Sequence, residues 1–221
     1  LALARRAITR ARALTAALLV LFVSLAMLVR DPVPNGLDVA ITRAIQSVHA
    51  LERPMAWISV PGNGLIPHAL TTLTVLIFVV AKRGLAAAFL ALTAGVGAFV
   101  NTGLKHVIGR PRPTALYVNK LDLVGGLSFP SGHVAFYVCY FGFLGALAFR
   151  HVEDVRARRA LVALAAMPIA LIPFSRVYLG AHWASDTLGA LLWSSTWLAL
   201  GVTLYDVTRA RRTSANEGAP A

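Results

Sequence analysis

One cysteine, Cys139, stands among 221 residues, so no intrachain disulfide can form and no cysteine-based metal site can be assembled. It lies in an apolar run, where a thiol serves as a small buried hydrophobe. Acidic residues are scarce as well, nine against 21 Lys and Arg. The chain has no His-Glu-x-x-His pattern and no dense group of carboxylates, the usual marks of zinc and of calcium or magnesium sites. Charged residues make up only 14% of the sequence and hydrophobic ones 57%, a balance that excludes an ordinary soluble globular domain. The net charge of +12 does not signal nucleic-acid binding, because the basic residues sit in short clusters between apolar runs rather than along one face.

What is present in quantity is long apolar sequence. A membrane-spanning helix needs about 20 largely apolar residues, with ~17 as a practical floor. Six segments meet or approach this: 13–29, 65–81, 85–104, 133–149, 160–174 and 186–205. The fifth is short and holds Pro168 and Pro173, which predict a kink. The first follows Arg5, Arg6, Arg10 and Arg12, as in a secretory signal peptide. Its run ends in Met27-Leu28-Val29-Arg30 without a small-x-small site, so a retained helix is expected. Residues 30–64 are too polar to span, yet Leu37, Ile41, Ala44, Ile45, Val48 and Leu51 recur at helical spacing. They predict an amphipathic helix on or near the outer membrane surface, with a helix packed across the bundle as the alternative. The expected fold is all-α: an integral membrane six-helix bundle with an amphipathic helix on the outer surface. Residues 1–212 are expected to form a single domain and 213–221, small or polar, a disordered tail.

Charge sets the orientation. With the N-terminus inside, segments 1–12, 82–84, 150–159 and 206–221 carry four, two, four and three Lys/Arg, 13 of the 21. Basic residues are retained on the cytoplasmic side, so the split of 13 to eight places the chain as a multi-pass protein of the plasma membrane with this topology. Three of the outside cations have a chemical reason to be there; without them the bias is 13 to five.

Three clusters break the hydrophobic pattern, and in this topology all face outward. They are Lys105-His106-Val107-Ile108-Gly109-Arg110-Pro111-Arg112-Pro113, then Pro130-Ser131-Gly132-His133, then Ser175-Arg176 followed by His182 and Asp186. Lys105, Arg112 and Arg176 supply three cations, the arginines as planar forks that match phosphate oxygens. Ser131 and the amide of Gly132, at the start of a helix, supply neutral donors. Together they make a cradle for a tetrahedral anion. His182 and Asp186 are four residues apart, so on a helix they share a face. The carboxylate can fix one imidazole nitrogen and leave the other basic and nucleophilic. His133 has no acidic neighbour in its motif and is better placed to protonate a leaving oxygen.

These clusters resemble the three-part signature of the type 2 phosphatidic acid phosphatase superfamily: Lys, six residues, Arg-Pro; Pro-Ser-Gly-His; Ser-Arg, five residues, His, three residues, Asp. Lys105, Arg112 and Pro113 match the first part, Pro130, Ser131, Gly132 and His133 the second, and Ser175, Arg176, His182 and Asp186 the third. The resemblance implies a lipid phosphate phosphatase that uses neither metal nor other cofactor. It implies that His182 attacks phosphorus, Asp186 orients it and His133 protonates the leaving oxygen, while Lys105, Arg112, Arg176, Ser131 and Gly132 hold the phosphoryl oxygens. Vanadium haloperoxidases share a similar signature but are soluble. A lipid phosphotransferase, passing the phosphate to a second lipid, is the alternative. The expected partner is a lipid phosphate within the membrane: a polyprenyl pyrophosphate, phosphatidylglycerol phosphate or phosphatidic acid. Arg110 stands outside the signature, with equal expectation of joining the cradle or pairing with lipid headgroups, and Lys120 and Asp122 are candidates for headgroup contact.

Overall fold

A computed structural model describes residues 2–31, 33–48, 50–122 and 125–217. The helices are α1 Ala2–Leu28, α2 Gly36–Gln46, α3 Glu52–Ser59 with a 3-10 turn over Val60–Gly62, α4 Ile66–Val80, α5 Gly84–Leu90, α6 Gly97–Ile108, α7 Gly132–His151, α8 Val155–Tyr178 and α9 Ala184–Glu217. Ala91–Val96 joins α5 to α6 as a π-helix. Among the described residues no strand forms; only Pro111 and Leu127 make an isolated antiparallel bridge.

α7 is the central helix. It packs on α8 and α9, while α1 lies along α9. Its residues Val134, Tyr137 and Phe143 are fully buried. Gly142 lets α9 come close: a Cβ there would stand 2.5 Å from Leu198 Cδ2. Small residues at such crossings are how helices associate in lipid, where tails compete equally well for apolar surface. The outward faces carry the chain's long apolar side chains, among them Leu73, Leu76 and Val80 on α4 and Leu164, Met167 and Phe174 on α8. So much exposed apolar surface is matched by hydrocarbon, not by water.

Four helices are each long and apolar enough to cross a membrane: Gly84–Ile108, Gly132–His151, Val155–Tyr178 and Ala184–Ser214. A fifth span exists if Glu52–Gly62 and Ile66–Val80, bent by 51° at their junction, count as one. This differs from the expected six. The segment predicted over 65–81 is a helix of 15 residues, or about 22 Å at 1.5 Å per residue, short of the ~30 Å hydrocarbon core. The apolar part of the first helix, Ala13–Leu28, also falls among the shorter helices. The fifth predicted segment is longer than its apolar run suggests: Asp154 caps α8 by accepting from the Ala157 amide at 2.7 Å, and the helix continues through Pro168 and Pro173 to Tyr178.

Two further differences concern the polar segments. Residues 30–64 hold two short helices rather than one, and α2 and α3 both pack on α8. The alternative of packing across the bundle describes them better than a helix lying on the membrane surface, because their polar residues Asp38, Thr42 and Ser59 are buried against the protein. The tail expected to be disordered over 213–221 continues α9 as far as Glu217; residues 218–221 lie outside the described residues.

Candidate active site

The C-terminal ends of α6 and α8 and the N-terminal ends of α7 and α9 meet at one end of the bundle, and each carries motif residues. α6 stops at Gly109, whose φ of 73° places it in the left-handed region favoured by glycine at helix ends. The loop beyond is fastened by the Ser128 amide donating to Arg110 O at 2.8 Å. The Ser131 amide donates to Asp186 O at 3.2 Å and ties the second motif to the third. Between α8 and α9, Gly180 adopts φ 64°. The amides of Leu121 and Asp122 donate to the neighbouring Leu179 carbonyl at 3.1 and 3.0 Å. A Cβ at Gly180 would lie 2.3 Å from Asn119 O, so Gly180→Ala is expected to destabilise the fold by about 1–3 kcal/mol. Thermal unfolding in detergent measures this.

His182 and Asp186 come together as expected, with Ser128 between them. Asp186 Oδ2 accepts from Ser128 Oγ at 2.5 Å and from the Trp183 amide at 2.8 Å. It stands 3.5 Å from His182 Nδ1, too far for a good direct hydrogen bond. Ser128 Oγ is 3.3 Å from the same nitrogen. The other nitrogen, Nε2, is 3.2 Å from Arg112 Nη1. Arginine only donates, so Nε2 is the acceptor and Nδ1 carries the hydrogen. The chain therefore runs Nδ1–H to Ser128 Oγ, and Ser128 O–H to Asp186. Burial, reinforced by the cations of Arg112, Lys105 and Arg176, holds the His182 imidazole well below its usual pKa. A neutral ring whose Nε2 bears no hydrogen is a nucleophile once the Arg112 contact gives way to phosphorus.

The cradle surrounds that lone pair. Arg112 donates from Nη1 to Ala181 O at 2.8 Å. Arg176 is held by Asp122 Oδ2 at 2.7 Å and Ser59 Oγ at 3.0 Å. Arg112 Nε, Arg176 Nε and Ser131 Oγ are buried without any hydrogen-bond partner among the described residues. Unsatisfied buried donors are costly and rare, and three on signature residues mark the place of an anion. Gly132 opens α7, where first-turn amides lack intrahelical partners. Lys105 donates to the carbonyls of Leu127 and Ser128 at 2.9 and 3.1 Å, so in this structure it fastens the loop that leads to the second motif. His133 Nε2 lies 2.7 Å from Asn63 Oδ1; the acceptor there means that Nε2 carries a hydrogen. A Cβ at Gly62 would stand 2.4 Å from His133 Cδ2, so the turn after α3 packs directly on that imidazole.

All eight expected residues therefore sit at one site. Ser128, Asp38, Ser59 and Asn63 were not foreseen. Ser128 lies two residues before Pro130 and could have been found only by position; the other three bond to residues 70 or more positions away in sequence, with no local signal. Two expectations are corrected. Arg110 joins neither cradle nor headgroup: it is buried between Asp186 and Asp38, at 2.7 Å from each. Asp122 pairs with Arg176 instead of standing free for a headgroup.

Comparison with known proteins agrees with this geometry. The sequence profile of the PAP2 superfamily matches residues 86–210, more than half of the chain. Phosphatidylglycerophosphatase B of Bacillus subtilis (strain 168) is 34% identical over 100 residues, covering 44% of this chain and 47% of that protein. The chain thus matches about half the length of this curated relative. The crystal structure of the first transmembrane PAP2 type phosphatidylglycerolphosphate phosphatase from Bacillus subtilis superposes with a TM-score of 0.74 at 24% identity, over 88% of this chain and 96% of that one. Aquifex aeolicus LpxE gives a TM-score of 0.57 at 23% identity, over 76% and 96%. At these identities the two structures share the fold. By its sequence match and by the assembly of the whole signature at one site, the chain belongs to the PAP2 superfamily.

Proposed function

We infer that the protein hydrolyses a phosphate monoester or pyrophosphate on a membrane lipid through a phosphohistidine at His182. The observation that carries this reading is the set of three buried, unpartnered donors on Arg112, Arg176 and Ser131 beside a histidine whose hydrogen bonds leave Nε2 unprotonated and aimed at the Arg112 guanidinium. Nε2 of His182 bonds to phosphorus as the bond to the leaving oxygen breaks, and His133, carrying a second proton that arrives with the bound phosphate, gives that oxygen its proton. His133, now neutral, takes a proton from water; the water oxygen bonds to phosphorus, the P–N bond breaks, and inorganic phosphate leaves. Arg112, Arg176, Ser131, Gly132 and Lys105 stabilise the charge on the phosphoryl oxygens at both steps.

The lipid reading has its own support. A cavity of about 310 Å³ runs between α4, the π-helix and α7, with Lys105, Gly132 and His133 at its polar end and Ala94, Gly95 and Ala98 along its side. The π-helix contributes Ala94 and Gly95 to its wall, irregular helix of a kind frequent at functional sites. This groove suits the chain or linker of a lipid whose phosphate lies in the cradle. Phosphatidylglycerol phosphate is the substrate we favour, since the Bacillus subtilis relative is named for it; polyprenyl pyrophosphate and phosphatidic acid are the others to assay. Release of inorganic phosphate from purified protein supports the hydrolase, and transfer of label to an added lipid acceptor supports the phosphotransferase.

Metal independence follows from charge. Lys105, Arg112 and Arg176 all bear on His182 electrostatically, and a cluster of cations repels a divalent ion. Activity is expected to persist in excess EDTA while orthovanadate inhibits, mimicking pentacoordinate phosphorus. Loss to chelator, restored by one specific divalent ion, contradicts this.

The site is read as facing the extracytoplasmic side of the plasma membrane, in a bundle of six spans if α1 and the bent α3–α4 pair both cross. The far end of the bundle carries Lys82, Arg83, Arg150, Arg156, Arg158, Arg159, Arg209, Arg211 and Arg212. At the site end Arg110 is internally neutralised, which leaves the positive-inside bias stronger than the raw count. After Cys139→Ala, a thiol introduced by Ala115→Cys should react with a membrane-impermeant maleimide on intact cells. One introduced by Ala157→Cys should not. The reverse pattern places the site in the cytoplasm.

A further inference from the structure

Arg110 takes no part in the steps above, although it is among the largest fully buried side chains. Its Nη1 donates to Asp186 Oδ1 at 2.7 Å and to Ser185 Oγ at 2.6 Å. Its Nη2 donates to Asp38 Oδ2 at 2.7 Å, and its guanidinium lies over the Trp183 ring, 6.0 Å from the centroid. Asp38 is fixed in turn. Its Oδ1 accepts from the Ser185 amide at 2.9 Å, and its Oδ2 from Ser185 Oγ at 2.6 Å and Asn35 Nδ2 at 3.1 Å. The same Asn35 caps α2.

We propose that Asp38 is a positioning residue of the reaction, acting through Arg110 to fix the plane of the Asp186 carboxylate and so tying the docking of α2 to the orientation of His182. The two oxygens of Asp186 have separate duties. Oδ2 receives Ser128 and faces His182, and Oδ1 is held by Arg110 alone among side chains. The terminal torsion of aspartate is broad, so without an anchor on Oδ1 the carboxylate turns and the Ser128 link to Nδ1 loses its direction. Arg110 needs a second anchor to keep its own fork in place, and Asp38 supplies it from α2, 148 residues from Asp186 in sequence. A buried carboxylate–guanidinium–carboxylate triad contributes little net stability compared with packed apolar residues, which points to a positional role for it here.

The proposal rests on the reading of Asp186 and His182 as the nucleophilic pair, and its test separates the two. Asp38→Asn keeps the size of the side chain and an acceptor for the Ser185 amide, and removes the charge. Its kcat should fall about 10- to 100-fold, the scale of a misplaced reacting group. KM and the inhibition constant for inorganic phosphate, which the cradle holds without a bond to His182, should stay within about twofold, because the cradle is untouched. In an Asp186→Asn background the same substitution should cost less than about twofold, because residues acting through one another are not additive. Should Asp38→Asn not fold, Arg110→Lys reads the same effect, since an ammonium cannot bridge both carboxylates as the fork does. Normal kcat in the folded variant, losses that multiply in the double variant, or a parallel loss of phosphate affinity each overturn the proposal. If His182→Ala itself keeps turnover, it is the underlying reading that fails. If His182→Ala is inactive and Asp38→Asn is normal, only the role of Asp38 fails.

Discussion

His182→Ala is expected to remove turnover and phosphoenzyme together, with kcat reduced by on the order of 10⁴-fold or more, to whatever the cradle supports alone. The size follows from the site. The lone pair on Nε2 belongs to a buried neutral imidazole beside Arg112, and it depends on the Nδ1–Ser128–Asp186 chain for its tautomer. The variant should still bind inorganic phosphate, because Arg112, Arg176 and Ser131 remain. Inhibition data on wild type and direct binding to the variant separate loss of chemistry from loss of the site. Binding without turnover is the signature of a missing nucleophile. Near-normal turnover excludes His182 from that role.

His133→Ala should slow the reaction by about 10²–10⁴-fold, the range for general acid–base catalysis, and selectively by leaving group. His133 opens the cavity side of α7 beside Gly132, with Nε2 bearing its hydrogen toward Asn63. From there it can turn to the leaving oxygen of a substrate lying in the cavity. A lipid alkoxide leaves poorly without a proton, and a nitrophenolate leaves well. An aryl phosphate with an acidic leaving group should therefore restore the first step in His133→Ala and leave the second step impaired, since water still lacks its base. Measured across a series of leaving groups, the variant should depend more steeply on leaving-group pKa than wild type does. An equal loss for every substrate contradicts the acid role.

The sequence carried most of this site because the signature is local. Each motif lies within a dozen residues, and each falls at the polar end of an apolar run that can only be a helix in lipid. Lys105, Arg112, Ser131, Gly132, His133, Arg176, His182 and Asp186 were legible for that reason. The residues that hold them in place were not. Asp38, Ser59 and Asn63 belong to a segment whose pattern of Leu37, Ile41, Ile45 and Val48 reads equally well as a membrane-surface helix. Only tertiary packing on α8 turns its polar face inward, to Arg110, Arg176 and His133. Arg110 misled for a related reason. A cation beside two phosphate-binding residues looks like a third, and its neutralisation by a carboxylate 72 residues away is invisible along the chain. By length and apolarity four helices qualify as spans and the bent pair Glu52–Gly62 and Ile66–Val80 makes a fifth, because hydropathy registers an apolar run but neither the length of its helix nor a bend within it.

The claim on which the rest depends is covalent: phosphate passes through Nε2 of His182. The direct measurement uses His133→Ala with an isotopically labelled aryl phosphate, where attack proceeds and hydrolysis lags, followed by rapid quenching and peptide mapping. An acid-labile, alkali-stable label on the peptide containing His182, absent when His182→Ala is added, is the predicted result. Phosphate released with no label on the protein, or label on any residue other than His182, contradicts the account.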